Sequence, residues 1–163
     1  MTSSTERLLM QAVAHHTAGR LPQAQAIYME ALAQAPEHPD VLHLLGLAMH
    51  QLGNHQDSRV RIERAIQLKP GSAAYRSNLG SVLQSLGDFD AAISSFESAI
   101  AIDPSFADAH YNLGRARQAQ GNWSQALECY ERVIRLNPRY ERAHYNAGLQ
   151  LQKLGRTDQA LQH

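Results

Sequence analysis

Apolar and small residues recur along the chain at helical spacing, in runs that short polar turns separate. Over residues 107–120 such positions return every three or four residues, and Gly121 ends the run. A second run extends from Trp123 to about Leu136, and Pro138 stops it because proline cannot continue a helix. A helix with one apolar stripe must bury that stripe against a partner. The pattern therefore predicts helices that pack in pairs.

The whole pattern repeats every 34 residues, without an insertion. Prolines mark the end of each pair: Pro36, Pro70, Pro104 and Pro138. One glycine series lies inside the first helices: Gly46, Gly80, Gly114 and Gly148. A second glycine series lies between the helices of a pair: Gly19, Gly53, Gly87, Gly121 and Gly155. The second helices carry a small residue at Ala24, Ser58, Ala92, Ala126 and Ala160, and a bulky one at Tyr28, Ile62, Phe96 and Tyr130. Several series with one period indicate a repeat protein.

Each series has a predicted structural role. Gly114 and Ala126 are small, so the two backbones of a pair can approach closely, and Tyr130 then covers their contact. The glycine between the helices supplies the positive φ that a tight helix end prefers. Polar residues follow that glycine at Asn54, Asp88 and Asn122, where we expect each to cap the second helix.

These residues closely resemble the tetratricopeptide repeat family. In the fourth unit the match consists of Leu113, Gly114, Gly121, Trp123, Ala126, Tyr130 and Pro138. The resemblance covers units at about 5–38, 39–72, 73–106 and 107–140, with a partial fifth unit at 141–163. The chain departs from the family pattern in two places. Val133 stands where a small residue is usual, and the first helices lack the common tryptophan. It implies an all-α, right-handed superhelical solenoid of antiparallel helix pairs, whose first helices line a concave groove.

Composition narrows the possible partners. The chain has 163 residues with 15 basic and 15 acidic side chains, so it lacks the excess of cations that nucleic acids or anionic membranes require. A single cysteine, Cys129, fits a reducing compartment, and no apolar run approaches the ~18 residues of a membrane span. The start of the chain does not read as a secretory signal. We therefore expect a cytoplasmic protein that binds neither nucleic acid nor membrane.

An asparagine returns at one phase of the first helices, at Asn78, Asn112 and Asn146. Tyrosines precede two of these residues, and Arg115 lies on the same helical face. In the first two units this phase holds Met10 and Leu44, so the groove is expected to be apolar there and polar, aromatic and slightly basic further on. A row of amides can pair with the backbone of an extended chain whatever its sequence. The residues expected to bind such a segment are Asn78, Tyr111, Asn112, Arg115, Tyr145 and Asn146. The alternative is that the asparagines tie one repeat to the next.

Other site chemistries find little support in the sequence. No serine or cysteine has a recurring acid or histidine partner, so we predict no catalytic site. His43 and His50 share a predicted helix, but no His-x3-His or Cys/His cluster accompanies them, and we predict neither a metal nor a cofactor. Within the resembled family, repeats that bind the acidic tails of chaperones carry a lysine just before the asparagine phase. In this chain no unit has a lysine at the position just before the asparagine phase, so a clamp of this kind is not expected.

The sequence therefore predicts a non-enzymatic scaffold that binds a protein or peptide, through an extended segment, in the groove of units three to five. One alternative follows from a resemblance to the N-terminal arrays of bacterial multi-domain proteins: the chain is the substrate-recognition arm of an O-glycosyltransferase- or sulfotransferase-like enzyme. Another is a self-assembling solenoid. The chain stops at "DQALQH", within the second helix of the fifth unit. We therefore expect it to be the N-terminal part of a longer protein, with an uncapped end that favours self-association.

Overall fold

A computed structural model describes residues 3–160, apart from the side chain of Thr157. Within that span the chain forms ten helices. They are α1 (Ser4–Thr17), α2 (Leu21–Gln34), α3 (Pro39–Gln51), α4 (His55–Leu68), α5 (Ala73–Ser85), α6 (Phe89–Ile102), α7 (Ala107–Ala119), α8 (Trp123–Leu136), α9 (Glu141–Lys153) and α10 (Thr157–Ala160). The predicted all-α solenoid of helix pairs is confirmed. The end of the predicted fifth unit, 161–163, lies outside the described residues.

A left-handed glycine closes the first helix of every pair. At Gly53 φ is +86°, and the four equivalent glycines have φ between +72° and +81°. The Gly53 N–H donates to the carbonyl of His50 at 3.0 Å, and the Asn54 N–H donates to the carbonyl of Met49 at 2.9 Å. These bonds satisfy carbonyls that the helix end would otherwise leave unpaired. The predicted positive φ is confirmed.

The predicted caps of the second helices form only in part. Asp88 accepts a hydrogen bond from the Ala91 N–H at 3.1 Å and caps α6. Asn54 and Asn122 occupy the same position, but neither side chain makes a capping bond, so that prediction is wrong for both. The Asn122 amide donates instead to Gln120 at 3.3 Å. These two helices therefore start without a side-chain cap.

The recurring prolines stop the second helices through the residue that precedes them. Helices α2, α4, α6 and α8 end two residues before Pro36, Pro70, Pro104 and Pro138. The residue between has φ from −132° to −140° in all four cases. A proline ring disfavours helical backbone at the residue before it, so each pair ends at the same phase.

In the second, third and fourth units the bulky residue of the second helix fills the space beside a glycine of the first helix. A Cβ added at Gly80 would lie 2.6 Å from the ring of Phe96, and one at Gly114 would lie 2.7 Å from the ring of Tyr130. Both rings are fully buried. At Gly46 the partner backbone is also close, since an added Cβ would lie 3.2 Å from the carbonyl oxygen of Ser58. Gly80 and Gly114 thus make room mainly for a ring.

The first helices also lie against one another. Helix α1 contacts α3, α3 contacts α5, and α5 contacts α7, whereas the second helices have no comparable contacts with each other within residues 3–160. The first helices are therefore on the inside of the curved stack. We call α1, α3, α5, α7 and α9 the inner helices, and α2, α4, α6, α8 and α10 the outer helices.

The glycine at the ring contact can be tested by Gly114→Ala. Alanine is the better helix former by ~1 kcal/mol, but forcing its methyl group against the Tyr130 ring costs about 1–3 kcal/mol. We expect a lower free energy of unfolding in urea denaturation. Gly71→Ala is the control, because nothing lies within 4 Å of a Cβ there. A Gly114→Ala variant more stable than the wild type, by the ~1 kcal/mol of helix propensity alone, would contradict the ring contact.

Candidate functional site

The six residues predicted to bind a partner lie on three successive inner helices. Asn78 is on α5; Tyr111, Asn112 and Arg115 are on α7; Tyr145 and Asn146 are on α9. Arg115 is exposed, and the Tyr145 side chain is 68% exposed. The other four are half-buried. The set therefore combines accessible side chains with side chains that also pack within the protein.

Asn78 connects the third unit to the second. Its amide nitrogen donates to Nε2 of His43 on α3, at 2.9 Å. The His43 ring is buried and stacks on Tyr75, with ring centroids 4.2 Å apart and planes 24° apart. The Asn78 amide therefore joins two inner helices.

Burial keeps the His43 ring uncharged, as its hydrogen bond from Asn78 requires. It lowers the pKa of His43 from 6.5 to about 4, because the charged ring would lose its hydration. The ring is therefore neutral near pH 7, and Nε2 can accept from Asn78. Close by, the Tyr75 hydroxyl donates to the Asp40 carboxylate, and Lys69 lies 3.3 Å from the same carboxylate. The hydrogen bond from Tyr75, with a smaller effect from Lys69, lowers the pKa of Asp40.

Asn146 repeats this arrangement between the fifth and fourth units. Its amide nitrogen donates to the Tyr111 hydroxyl at 3.1 Å. In both contacts the partner lies 35 residues earlier, just before the asparagine phase of the preceding unit. For Asn112 that position holds Ser77, which has a short, buried side chain. Within residues 3–160 the Asn112 side chain makes no hydrogen bond. The asparagines therefore differ: two connect repeats, and one keeps its whole amide available.

Tyrosines form a cleft beside Asn146. Tyr111, Glu141, Arg142, Tyr145 and Asn146 line a volume of about 380 Å³, which we call the aromatic cleft. The Tyr111 ring is held in place by Tyr130 and Tyr140, at centroid distances of 5.7 Å and 5.2 Å. The cleft therefore has one ordered ring and one exposed ring.

Arg115 borders a second cleft, nearer the middle of the stack. Its lining includes His50, Ser81, Gln84, Ser85, Phe89 and Arg115. We call this volume of about 370 Å³ the polar cleft. Of this lining, sequence reasoning assigned only Arg115 to the binding set and missed Gln84, Ser85 and Phe89. Phe89 belongs to an outer helix, which the repeat pattern alone assigns to the opposite layer.

Other chemistry is limited in the described part of the chain. No group of three His, Cys, Asp or Glu side chains has the arrangement of a metal site there. No helix within residues 3–160 is long and apolar enough to cross a membrane. Burial raises the pKa of the Cys129 thiol to about 11, so it stays protonated and is a poor nucleophile near neutral pH.

Comparisons with known proteins agree with the repeat. A family model described as tetratricopeptide repeat matches residues 15–80 and 83–146, and a second model of the same description matches residues 142–163. No curated protein sequence matches the chain.

Solved structures share the fold over most of their length. MamA superposes with a TM-score of 0.85 at 28% identity, over 99% of this chain and 88% of MamA. PilF of Pseudomonas aeruginosa superposes with a TM-score of 0.89 at 19% identity, over 97% of this chain and 72% of PilF. YrrB, a tetratricopeptide repeat (TPR) protein with an unusual peptide-binding site, superposes with a TM-score of 0.75 at 20% identity, over 95% of this chain and 80% of YrrB.

The buried histidine predicts a pH dependence of stability. Between pH 6.5 and about 4 the unfolded chain protonates His43 and the folded chain does not, so stability falls as the pH decreases through that window. The loss from this residue is about 3 kcal/mol at most. We expect urea titrations at pH 7.5 and pH 4.5 to show a smaller loss for His43→Gln than for the wild type, because glutamine does not titrate. Equal losses in the two proteins would exclude His43 as the cause.

Proposed function

The chain belongs to the tetratricopeptide repeat family, and from that premise we propose that it is a non-enzymatic scaffold that binds an extended segment of a partner protein along its inner helices. The observation that carries the proposal is the Asn112 amide. It has no hydrogen-bond partner within residues 3–160, and it lies on the same helix as the exposed Arg115.

An amide in this position suits a backbone ligand. Each residue of an extended chain offers one N–H and one C=O, and an amide side chain supplies the complementary acceptor and donor. The Asn112 side chain is half-buried, so a partner that covers it must replace the hydrogen bonds that it makes to water. The backbone N–H and C=O groups of a bound segment can replace these hydrogen bonds whatever the sequence of the segment.

The two asparagines that connect repeats support the same function. In Asn78 and Asn146 the nitrogen donates to His43 and to Tyr111, which fixes the orientation of each amide. Their Oδ1 atoms accept no hydrogen bond from the described residues. Each oxygen can therefore accept an N–H from the partner without losing its contact between repeats. Connecting repeats and binding a segment are thus compatible roles for one side chain.

The aromatic cleft supplies contact area. Tyr145 is exposed over most of its surface, and a tyrosine that becomes covered buries a large ring at a low cost in side-chain entropy. Tyr111 is already ordered by its neighbours, so it forms a preformed wall. A side chain of the bound segment can occupy the space between the two rings. A fold of this kind carries a peptide-binding site in YrrB, which supports the proposal at the level of the fold.

The proposal is tested with peptides selected on the whole chain from a random phage-displayed library. We expect Asn112→Ala and Tyr145→Ala each to weaken the binding of a selected peptide by about 1 kcal/mol, measured by fluorescence anisotropy. Neither substitution should change the melting temperature of the protein much. Asn146→Ala should weaken binding and also lower the melting temperature, because it removes the contact with Tyr111.

Asn122→Ala is the matched control, since Asn122 is an exposed amide in the turn between α7 and α8. It should leave the affinity unchanged. Selected peptides whose affinity does not respond to Asn112→Ala and Tyr145→Ala would rule out the groove as their binding site.

A further inference from the structure

We propose that the polar cleft binds the carboxylate of an aspartate or glutamate side chain within the extended segment. This inference rests on the proposed function and adds a preference for an acidic residue at one place in the segment.

The cleft lies where the bulky residue of the outer helix carries no hydroxyl group. In the first unit the Tyr28 hydroxyl lies 3.3 Å from Nδ1 of His16, and in the fourth unit the Tyr130 hydroxyl donates to Gln118 at 2.8 Å. The outer tyrosine thus engages the polar side chain at this phase of the inner helix. Where the outer residue has no hydroxyl, that inner side chain is left free for another partner.

The second and third units show this difference. Their outer residues are Ile62 and Phe96, and their inner residues at the same phase are His50 and Gln84. His50 turns to His55 instead, with Nδ1 atoms 2.9 Å apart. The Gln84 side chain makes no hydrogen bond to any described residue. An amide with two N–H donors therefore lines the cleft without a partner.

Arg115 supplies the charge. Its guanidinium forms no ion pair and no hydrogen bond within residues 3–160. Two residues along the same helix, Arg117 is 2.6 Å from the Glu97 carboxylate. The polar cleft has no acidic residue in its lining, so nothing there compensates the charge of Arg115.

The remaining lining suits an acidic side chain. The hydroxyls of Ser81 and Ser85 donate to backbone carbonyls one turn earlier, at 3.3 Å and 3.2 Å, so they stay occupied within the helix. The free donors are the guanidinium and the Gln84 amide, and a carboxylate accepts from both. Phe89 offers an apolar surface for the methylene groups that carry the carboxylate. Hydrogen bonds in which both partners are charged are the strong ones, so Arg115 is the main determinant.

The experiment uses the whole chain and a random peptide library fused to the phage coat protein through the peptide's C-terminus, which leaves no terminal carboxylate. We expect an aspartate or glutamate to be enriched at one position. The selected peptide is then made in amidated form with Glu, Gln or Lys at that position, and its affinity is measured by anisotropy. Glu→Gln should weaken binding to the wild type roughly tenfold.

Three variants locate the effect, of which Arg115→Gln and Arg117→Gln change the net charge equally. In Arg115→Gln the Glu and Gln peptides should bind equally, and in Arg115→Glu the Lys peptide should bind best. In Arg117→Gln, the matched control, the preference for Glu should remain. Melting curves by circular dichroism confirm that each variant is folded.

The outcomes separate the two proposals. Peptides that depend on Asn112 and Tyr145 but show no acidic preference, or keep it in Arg115→Gln, would overturn the carboxylate site and leave the groove standing. The selected Glu peptide is also made with a free C-terminal carboxylate, and a preference for Glu that appears only in this form and not in the amidated one would overturn the side-chain site as well. Selected peptides that no groove variant affects, or no enrichment at all, would overturn both.

Discussion

The contact between a glycine of the inner helix and a bulky residue of the outer helix, seen in the second, third and fourth units, sets the geometry of the helix stack. Since the ring of Phe96 or Tyr130 occupies the place of a Cβ, a glycine at this position is what lets the two helices of a pair pack around the ring. The prolines end each pair at the same phase. The same positions of successive inner helices therefore recur at the same place in the stack, which is why Asn78, Asn112 and Asn146 occupy equivalent places on α5, α7 and α9.

The sequence was sufficient for the features that depend on local pattern. The predicted helix at 107–120 is found as α7, one residue shorter, and the helix from Trp123 to Leu136 is found as predicted. The positive φ of the turn glycines also follows from the pattern. Local pattern failed where a side chain had a choice of partners: Asn54 and Asn122 have the right residue type and position for a cap, yet neither forms one.

The partners of the asparagines could not be predicted from their own series. They depend on the length of a side chain 35 residues earlier, and on the rotation that brings it within reach. His43 and Tyr111 are long enough, whereas Ser77 is not, so three identical residues at one phase have two kinds of surroundings. The sequence left open whether this amide binds a partner or connects repeats. For Asn78 and Asn146 the donor is engaged and the acceptor is free, which makes the two roles compatible.

The hydroxyl on the outer ring has a consequence for how such a groove diversifies. Tyrosine, phenylalanine and isoleucine all fill the space beside the inner glycine, so exchanges among them leave the solenoid intact. Yet a tyrosine hydroxyl bonds to the polar side chain opposite it, whereas phenylalanine or isoleucine leaves that side chain free to bond elsewhere, as His50 does to His55. Ligand preference can therefore change through substitutions in the outer helices, at buried positions that do not contact the ligand. Related arrays with identical inner faces need not bind the same segments.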